Sequence, residues 1–174
     1  MMFLERVRLR SWIRRLRRKK RVLVFRKAVN IPRQIENART VCICMPQDHK
    51  FFYEARDLIK DIPGSGQSIT LVLSRGHEVL AEHKGPVLTY PPALKKPFPV
   101  REDQLRDIPR DFDIAIDLSP EPTALTAYIS GTRAKKLSIG MQSRDLDPFY
   151  TVLVRSAGEY RDSVMSMLSF IRQI

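Results

Sequence analysis

From residue 40 onward the apolar positions follow two alternating rhythms. Thr40-Val-Cys-Ile-Cys-Met45 is a continuous apolar run rich in β-branched residues, the pattern of a strand buried on both faces, and Pro46 breaks it. Residues 48–61 then open on Asp48, a good N-cap, and place Phe52, Ala55, Leu58 and Ile59 at helical spacing. Pro63-Gly-Ser-Gly66 reads as a turn, Ser68–Leu73 as a second strand, 76–83 as a short helix and Pro86–Tyr90 as a third strand. A proline-dense loop runs from Tyr90 to Pro99, and a brief helix is expected over 101–107. Phe112-Asp-Ile-Ala-Ile-Asp117 is the clearest strand after the first. Thr123–Ser130 reads as a helix ended by Gly131, and Lys136–Gly140 and Tyr150–Val154 as the last two strands. An amphipathic helix over Glu159–Gln173 closes the chain with Val164, Met167, Leu168 and Ile171. Strands separated by helices predict an α/β fold, a single Rossmann-like domain of three layers with a mostly parallel sheet over residues 40–174.

The residues before 40 follow another pattern. Leu9, Trp12, Ile13 and Leu16 fall on one face of a helix, and most arginines fall elsewhere. Arg21–Phe25 reads as a short strand or the end of this helix, and Asn30-Ile-Pro32 interrupts what precedes it. The reading is a basic amphipathic helical arm over 1–27, a linker over 28–39, and the domain.

Charge sharpens this division. The chain has a formal net charge of +12, and residues 1–33 hold thirteen basic side chains against Glu5 alone, an excess equal to the whole of it. The rest of the chain is formally neutral. Such asymmetry points to an interaction segment that meets a polyanion. Arg6, Arg10, Arg14, Arg15, Arg17, Arg18, Lys19, Lys20 and Arg21 are the expected contacts to an anionic surface. Leu9, Trp12, Ile13 and Leu16 are the side chains expected to insert into a membrane or a partner. An anionic membrane is the favoured partner of residues 1–27, RNA the second; packing of the stripe on the protein's own domain or on a second protein is the plainer role. A protein partner or a homodimer also enters as an expectation.

No apolar run approaches the roughly 20 residues needed to span a bilayer. The first 30 residues carry no signal-peptide core, so a cytoplasmic location is expected, peripheral at the inner face of the membrane. Cys42 and Cys44 lie two apart within a strand, which suits buried small hydrophobes better than a disulfide or a metal site. No metal and no cofactor are expected: no G-x-G-x-x-G follows a strand, Pro63–Gly66 lacks the Lys-Ser/Thr ending of a P-loop, and the histidines show no ligand spacing.

In parallel sheets ligands bind beyond the carboxyl ends of the strands. Three acidic residues are expected there: Asp48 as a general base, and Asp117 and Glu121 to orient hydroxyls. Their plainer roles are a helix cap for Asp48, a strand-end carboxylate for Asp117 and a first-turn helix acid for Glu121.

The stretch Phe112-Asp-Ile-Ala-Ile-Asp-Leu118, followed by Gly131-Thr-Arg-Ala-Lys-Lys-Leu-Ser-Ile-Gly140, resembles the N-terminal half of family 9 glycosyltransferases, the lipopolysaccharide heptosyltransferases. With Asn37–Ile43 it is also similar to small bacterial proteins that share this half-fold. The resemblance covers roughly residues 40–141. It implies a Rossmann-like fold and an aspartate base after the first strand; the family's Gly-Asp pair is here Pro46-Gln47-Asp48, which keeps only the aspartate. It also implies that the sugar-nucleotide site belongs to a second domain not found in these residues. The expected function is a non-catalytic heptosyltransferase-like half-domain, peripheral at the membrane and accessory to envelope glycan assembly. One alternative is a glycosyltransferase completed by dimerisation or a partner domain, and another is an RNA- or ribosome-associated protein.

Overall fold

Each buried strand presents two apolar faces, so the chain has to cover both sides of its sheet. The computed structural model describes residues 3–18, 30–60, 67–78, 83–91, 100, 102–156 and 158–172. Six strands, β1 (Thr40–Cys44), β2 (Ser68–Ser74), β3 (Val87–Tyr90), β4 (Phe112–Asp117), β5 (Ala134–Met141) and β6 (Val152–Val154), form one sheet. Their order is β3-β2-β1-β4-β5-β6 and every pairing is parallel. This is the doubly wound order of Rossmann-like folds, in which the chain winds one way from β1 and the other way from β4. The helices are α1 (Phe3–Arg18), α2 (Ile31–Glu36), α3 (His49–Lys60), α4 (Ala124–Arg133) and α5 (Tyr160–Arg172).

Strand alternation sorts the core into two unlike halves. Val41, Ile43, Leu71, Ile114, Ile116 and Ile139 point to one face, where Phe52, Leu58 and Val164, Met167 and Leu168 of α3 and α5 cover them. The opposite face is built from small residues, among them Cys42, Cys44, Ala115, Ser138 and Gly140. Large rings fill the space this leaves: Tyr90, Tyr128, Phe149 and Tyr150. The two cysteines therefore serve packing. Both are free and buried, and the neighbouring Cys42 thiol together with burial pushes the Cys44 thiol well above its ordinary range, which keeps it uncharged.

A crossover helix of a doubly wound fold ordinarily shows one side to water. In α4, every residue from Ala124 to Gly131 is buried. The reason is α1, which lies over it: the Trp12 ring stacks on Tyr128 at 5.4 Å between centroids and meets Phe149 at 5.6 Å. Leu9, Ile13 and Leu16 join the same core at 0%, 4% and 5% exposure. Arg6 and Arg10 reach Asp145 at 3.2 and 3.4 Å, fixing the helix along its length. The stripe expected to insert into a membrane is thus spent inside the molecule, because packing Leu9, Trp12, Ile13 and Leu16 against rings that the domain would otherwise expose removes both surfaces from water at once.

Three further expectations change. The linker over 28–39 contains α2: Asn30 accepts from the Arg33 amide, Pro32 takes an opening position of the helix, and Ile35 enters the core, so Asn30-Ile-Pro32 begins an element instead of interrupting one. Gly131 does not end its helix. A Cβ there would lie 2.6 Å from the Phe149 carbonyl oxygen, so the glycine is a close-packing residue and α4 runs on to Arg133. That arginine is 1% exposed and holds Glu102 at 3.0 Å. The helix expected over 101–107 is a 3₁₀ turn at Glu102–Leu105. Arg21–Phe25, the turn at 63–66 and the loop at 92–99 lie outside the described residues, as do residues 79–82 of the helix expected over 76–83.

Candidate functional site

Because the winding reverses between β1 and β4, the loops that leave their carboxyl ends part and open a crevice between them. Cys44 of β1 pairs with Asp117 of β4 at this edge. Beyond it lies a cleft of about 390 Å³ lined by Gln47, Asp48 and Phe51 from the first loop and helix and by Ser119, Glu121 and Thr123 from the other. Two of the three expected acids, Asp48 and Glu121, meet on its walls, although 73 positions separate them in the sequence.

Each helix end that faces the cleft has one amide already capped. One Asp48 oxygen accepts from the Lys50 amide at 2.9 Å and so caps α3. Thr123 and Thr126 close a reciprocal capping box on α4, with the Thr126 amide 3.2 Å from the Thr123 hydroxyl. Glu121 stands two residues ahead of that cap, exposed in the loop, so the first-turn role does not describe it. With an amide of each helix capped and two carboxylates on the walls, this site differs from the phosphate-binding helix N-terminus of dinucleotide folds. Carboxylates and hydroxyls of this kind can accept hydrogen bonds from hydroxyl groups.

Asp117 is not on the wall. It is fully buried beneath the cleft, where the Tyr150 hydroxyl donates to one oxygen at 2.7 Å and the Ser119 amide to the other at 3.0 Å. Burial, only partly offset by these donors, raises the Asp117 carboxyl above the usual carboxylate range. Burial and the facing Asp117 likewise push Tyr150 well up, so the phenol keeps the proton it donates. A second tyrosine holds the next residue: Tyr160 donates to the Leu118 carbonyl oxygen at 2.8 Å, and its ring meets the edge of Phe51 at 4.7 Å. The loop that forms one wall of the cleft is therefore clamped by two tyrosines from distant parts of the chain. Neither tyrosine carries a local sequence signal of this role, and only Gly140, whose missing side chain admits the Tyr150 ring, hints at it.

The linkage has a definite sign. A carboxyl whose folded pKa is raised stabilises the fold fully below the ordinary carboxylate range and loses that contribution as pH rises through the folded value. Asp117→Asn never charges, and its amide can accept from Ser119 and donate to the Tyr150 oxygen. Its melting temperature should gain on that of the wild type by a few degrees as pH is raised from about 4 to about 8, at roughly 2–4 °C per kcal/mol. A gap that stays constant across that range would show that burial does not control Asp117.

Arg14, Arg15 and Arg18 are exposed on the outer side of α1, Arg6 and Arg10 are tied to Asp145, and Arg17 lies in the same helix. Lys19, Lys20 and Arg21 lie outside the described residues. His49 and His77, unrelated by spacing, meet with tilted rings at 4.8 Å between centroids beside Phe52. Among the described residues no group of three or more metal-ligating side chains comes together, and no helix is long and apolar enough to cross a membrane. No protein-family model matches the sequence, and a comparison with curated proteins finds no match.

Proposed function

We propose that this chain is a heptosyltransferase-like half-domain that binds a sugar-bearing ligand in the β1/β4 cleft and is held at a polyanionic surface by the outer face of α1. The observation that carries the first part is the meeting of Asp48 and Glu121, with Ser119 and Thr123, at the winding reversal of the sheet. Carboxylates accept from sugar hydroxyls, Phe51 offers an apolar face to a pyranose ring, and the capped helix ends give a free phosphate no preferred seat. Binding without turnover is the favoured reading for the isolated chain, because the aspartate that the resemblance would make a base already serves as the α3 cap. A transferase completed by a second copy or a partner domain is the alternative.

Attachment to the polyanion rests on charge alone, since the apolar stripe is docked. Peripheral attachment to an anionic membrane is one form of this reading, and it then proceeds without insertion.

Isothermal titration with free hexoses and heptoses, nucleotide sugars and inorganic phosphate tests the cleft. Sugars and nucleotide sugars should bind and phosphate alone should not. Glu121→Gln should weaken sugar binding by about tenfold, the equivalent of one charge-assisted hydrogen bond at roughly 1.4 kcal/mol. Absence of any sugar binding, or an unchanged affinity in Glu121→Gln, would remove the cleft from the proposal.

A further inference from the structure

The outer face of α1 carries charge that nothing in the described fold uses. Arg8, Arg14, Arg15 and Arg18 are exposed, and Ser11 and Val7 lie between them, so the face offers almost no apolar surface. At about 100° per residue, Arg14, Arg18, Arg15 and Arg8 fan over roughly 120° of the helix circumference, centred on Ser11. The helix is thus a ridge on the domain with guanidinium groups on its crest and on both flanks.

Two kinds of polyanion could meet such a ridge, and the geometry separates them. An interfacial membrane helix needs its apolar stripe in the acyl boundary. Freeing Leu9, Trp12, Ile13 and Leu16 would also uncover Tyr128 and Phe149, and a bilayer would cover only the helical half of what was exposed. With the stripe docked, a planar surface touches the crest and leaves the flanks idle. A groove with phosphates on both walls engages crest and flanks together, as helices with one packed face and one basic face do in nucleic acids. Like charges at Arg10, Arg14 and Arg18, four residues apart, also destabilise the free helix, and phosphates between them would relieve that repulsion. Guanidinium suits this task because its planar fork bonds two phosphate oxygens at once.

We propose that α1 is a docking helix for a nucleic-acid duplex, engaged through the phosphate backbone while its apolar stripe stays packed on the domain. This rests on the reading of α1 as a polyanion-binding surface and names the polyanion. RNA and DNA duplexes share the chemistry, and the test separates them.

Trp12 is the only tryptophan of the chain and sits in the docked stripe, so its emission reports whether the stripe has moved. The full chain is titrated into a fluorescein-labelled RNA duplex, a DNA duplex of the same sequence, and vesicles of phosphatidylglycerol and phosphatidylcholine. At least one duplex should bind, with affinity falling about 100-fold between roughly 50 and 200 mM salt, as about four phosphate contacts require. The Trp12 emission maximum should not shift. A chain combining Arg8→Gln, Arg14→Gln, Arg15→Gln and Arg18→Gln should keep that emission, which shows it is folded, and lose most of the affinity and the salt dependence. Vesicle binding without duplex binding overturns the duplex but leaves the polyanion reading, and binding to neither overturns both. Duplex binding unchanged in the four-arginine variant overturns the assignment to this face.

Discussion

Gly140→Val should destabilise the fold by about 3–5 kcal/mol and abolish the sugar binding proposed for the β1/β4 cleft. A Cβ at residue 140 would lie 2.4 Å from Tyr150 Cε1 and 2.6 Å from Cζ, inside any tolerable contact. The ring has no flexible end to give, so it must leave the strand. Its hydroxyl then leaves Asp117, a carboxyl with no access to water. A buried carboxyl stripped of a donor is among the costlier defects a core can hold. The loop Leu118–Thr123 loses its anchor at the same time, and with it one wall of the cleft. Tyr150→Phe separates the two parts of the effect. It keeps the ring in place and removes only the donor, at a cost of about 1–3 kcal/mol. Urea midpoints for both variants check this. A Gly140→Val midpoint equal to that of the wild type would mean that the ring does not lie against β5.

Leu9→Asp should release α1 from the domain. Leu9 is 0% exposed, and a carboxylate in its place cannot reach water without lifting the helix. The expected loss is at least about 3 kcal/mol, the range for removing a buried leucine before any charge is counted. Three readouts should move together. Trp12 emission should shift to the red as its ring leaves Tyr128 and Phe149, binding of an apolar dye should rise as those rings are uncovered, and helicity should fall. The helix has little to hold it alone, because its arginines repel at i and i+4 and its isolated length is marginal in water. Unchanged Trp12 emission in Leu9→Asp would show that the stripe is not seated on α4.

Each strand over residues 40–154 was legible because its apolar run exceeds what a surface loop tolerates and is bounded by proline, glycine or charge. The helices at 49–60 and 160–172 were legible from their 3.6-residue period. The fate of Gly131 was not. Glycine after an apolar helical run signals a helix end equally well when its missing Cβ instead admits a neighbour, and only the position of Phe149 distinguishes the two. Asn30-Ile-Pro32 posed the same difficulty, since proline both breaks a helix and begins one.

The candidate site divides in the same way. Asp48, Asp117 and Glu121 were visible as acids near strand ends, but the order of the strands decides which ends lie side by side. That order placed Asp48 and Glu121 on one cleft and Asp117 beneath it, under Tyr150. Tyr150 and Tyr160 gave no sign of their roles, because a tyrosine hydroxyl acquires a partner only when distant segments are brought to it.

The partition of charge was determined by the sequence alone: a basic N-terminal segment with an apolar stripe, followed by a formally neutral α/β domain. Which way the stripe faces was decided only by the tertiary structure. Periodicity states that four large apolar side chains share a helix face and must leave water, and a bilayer, a partner or the protein's own core would satisfy that equally. The small residues on one side of the sheet, and the aromatic rings that fill the space above them, create the surface that takes the stripe. Once it is buried there, the arginines are the part of the helix left for a partner.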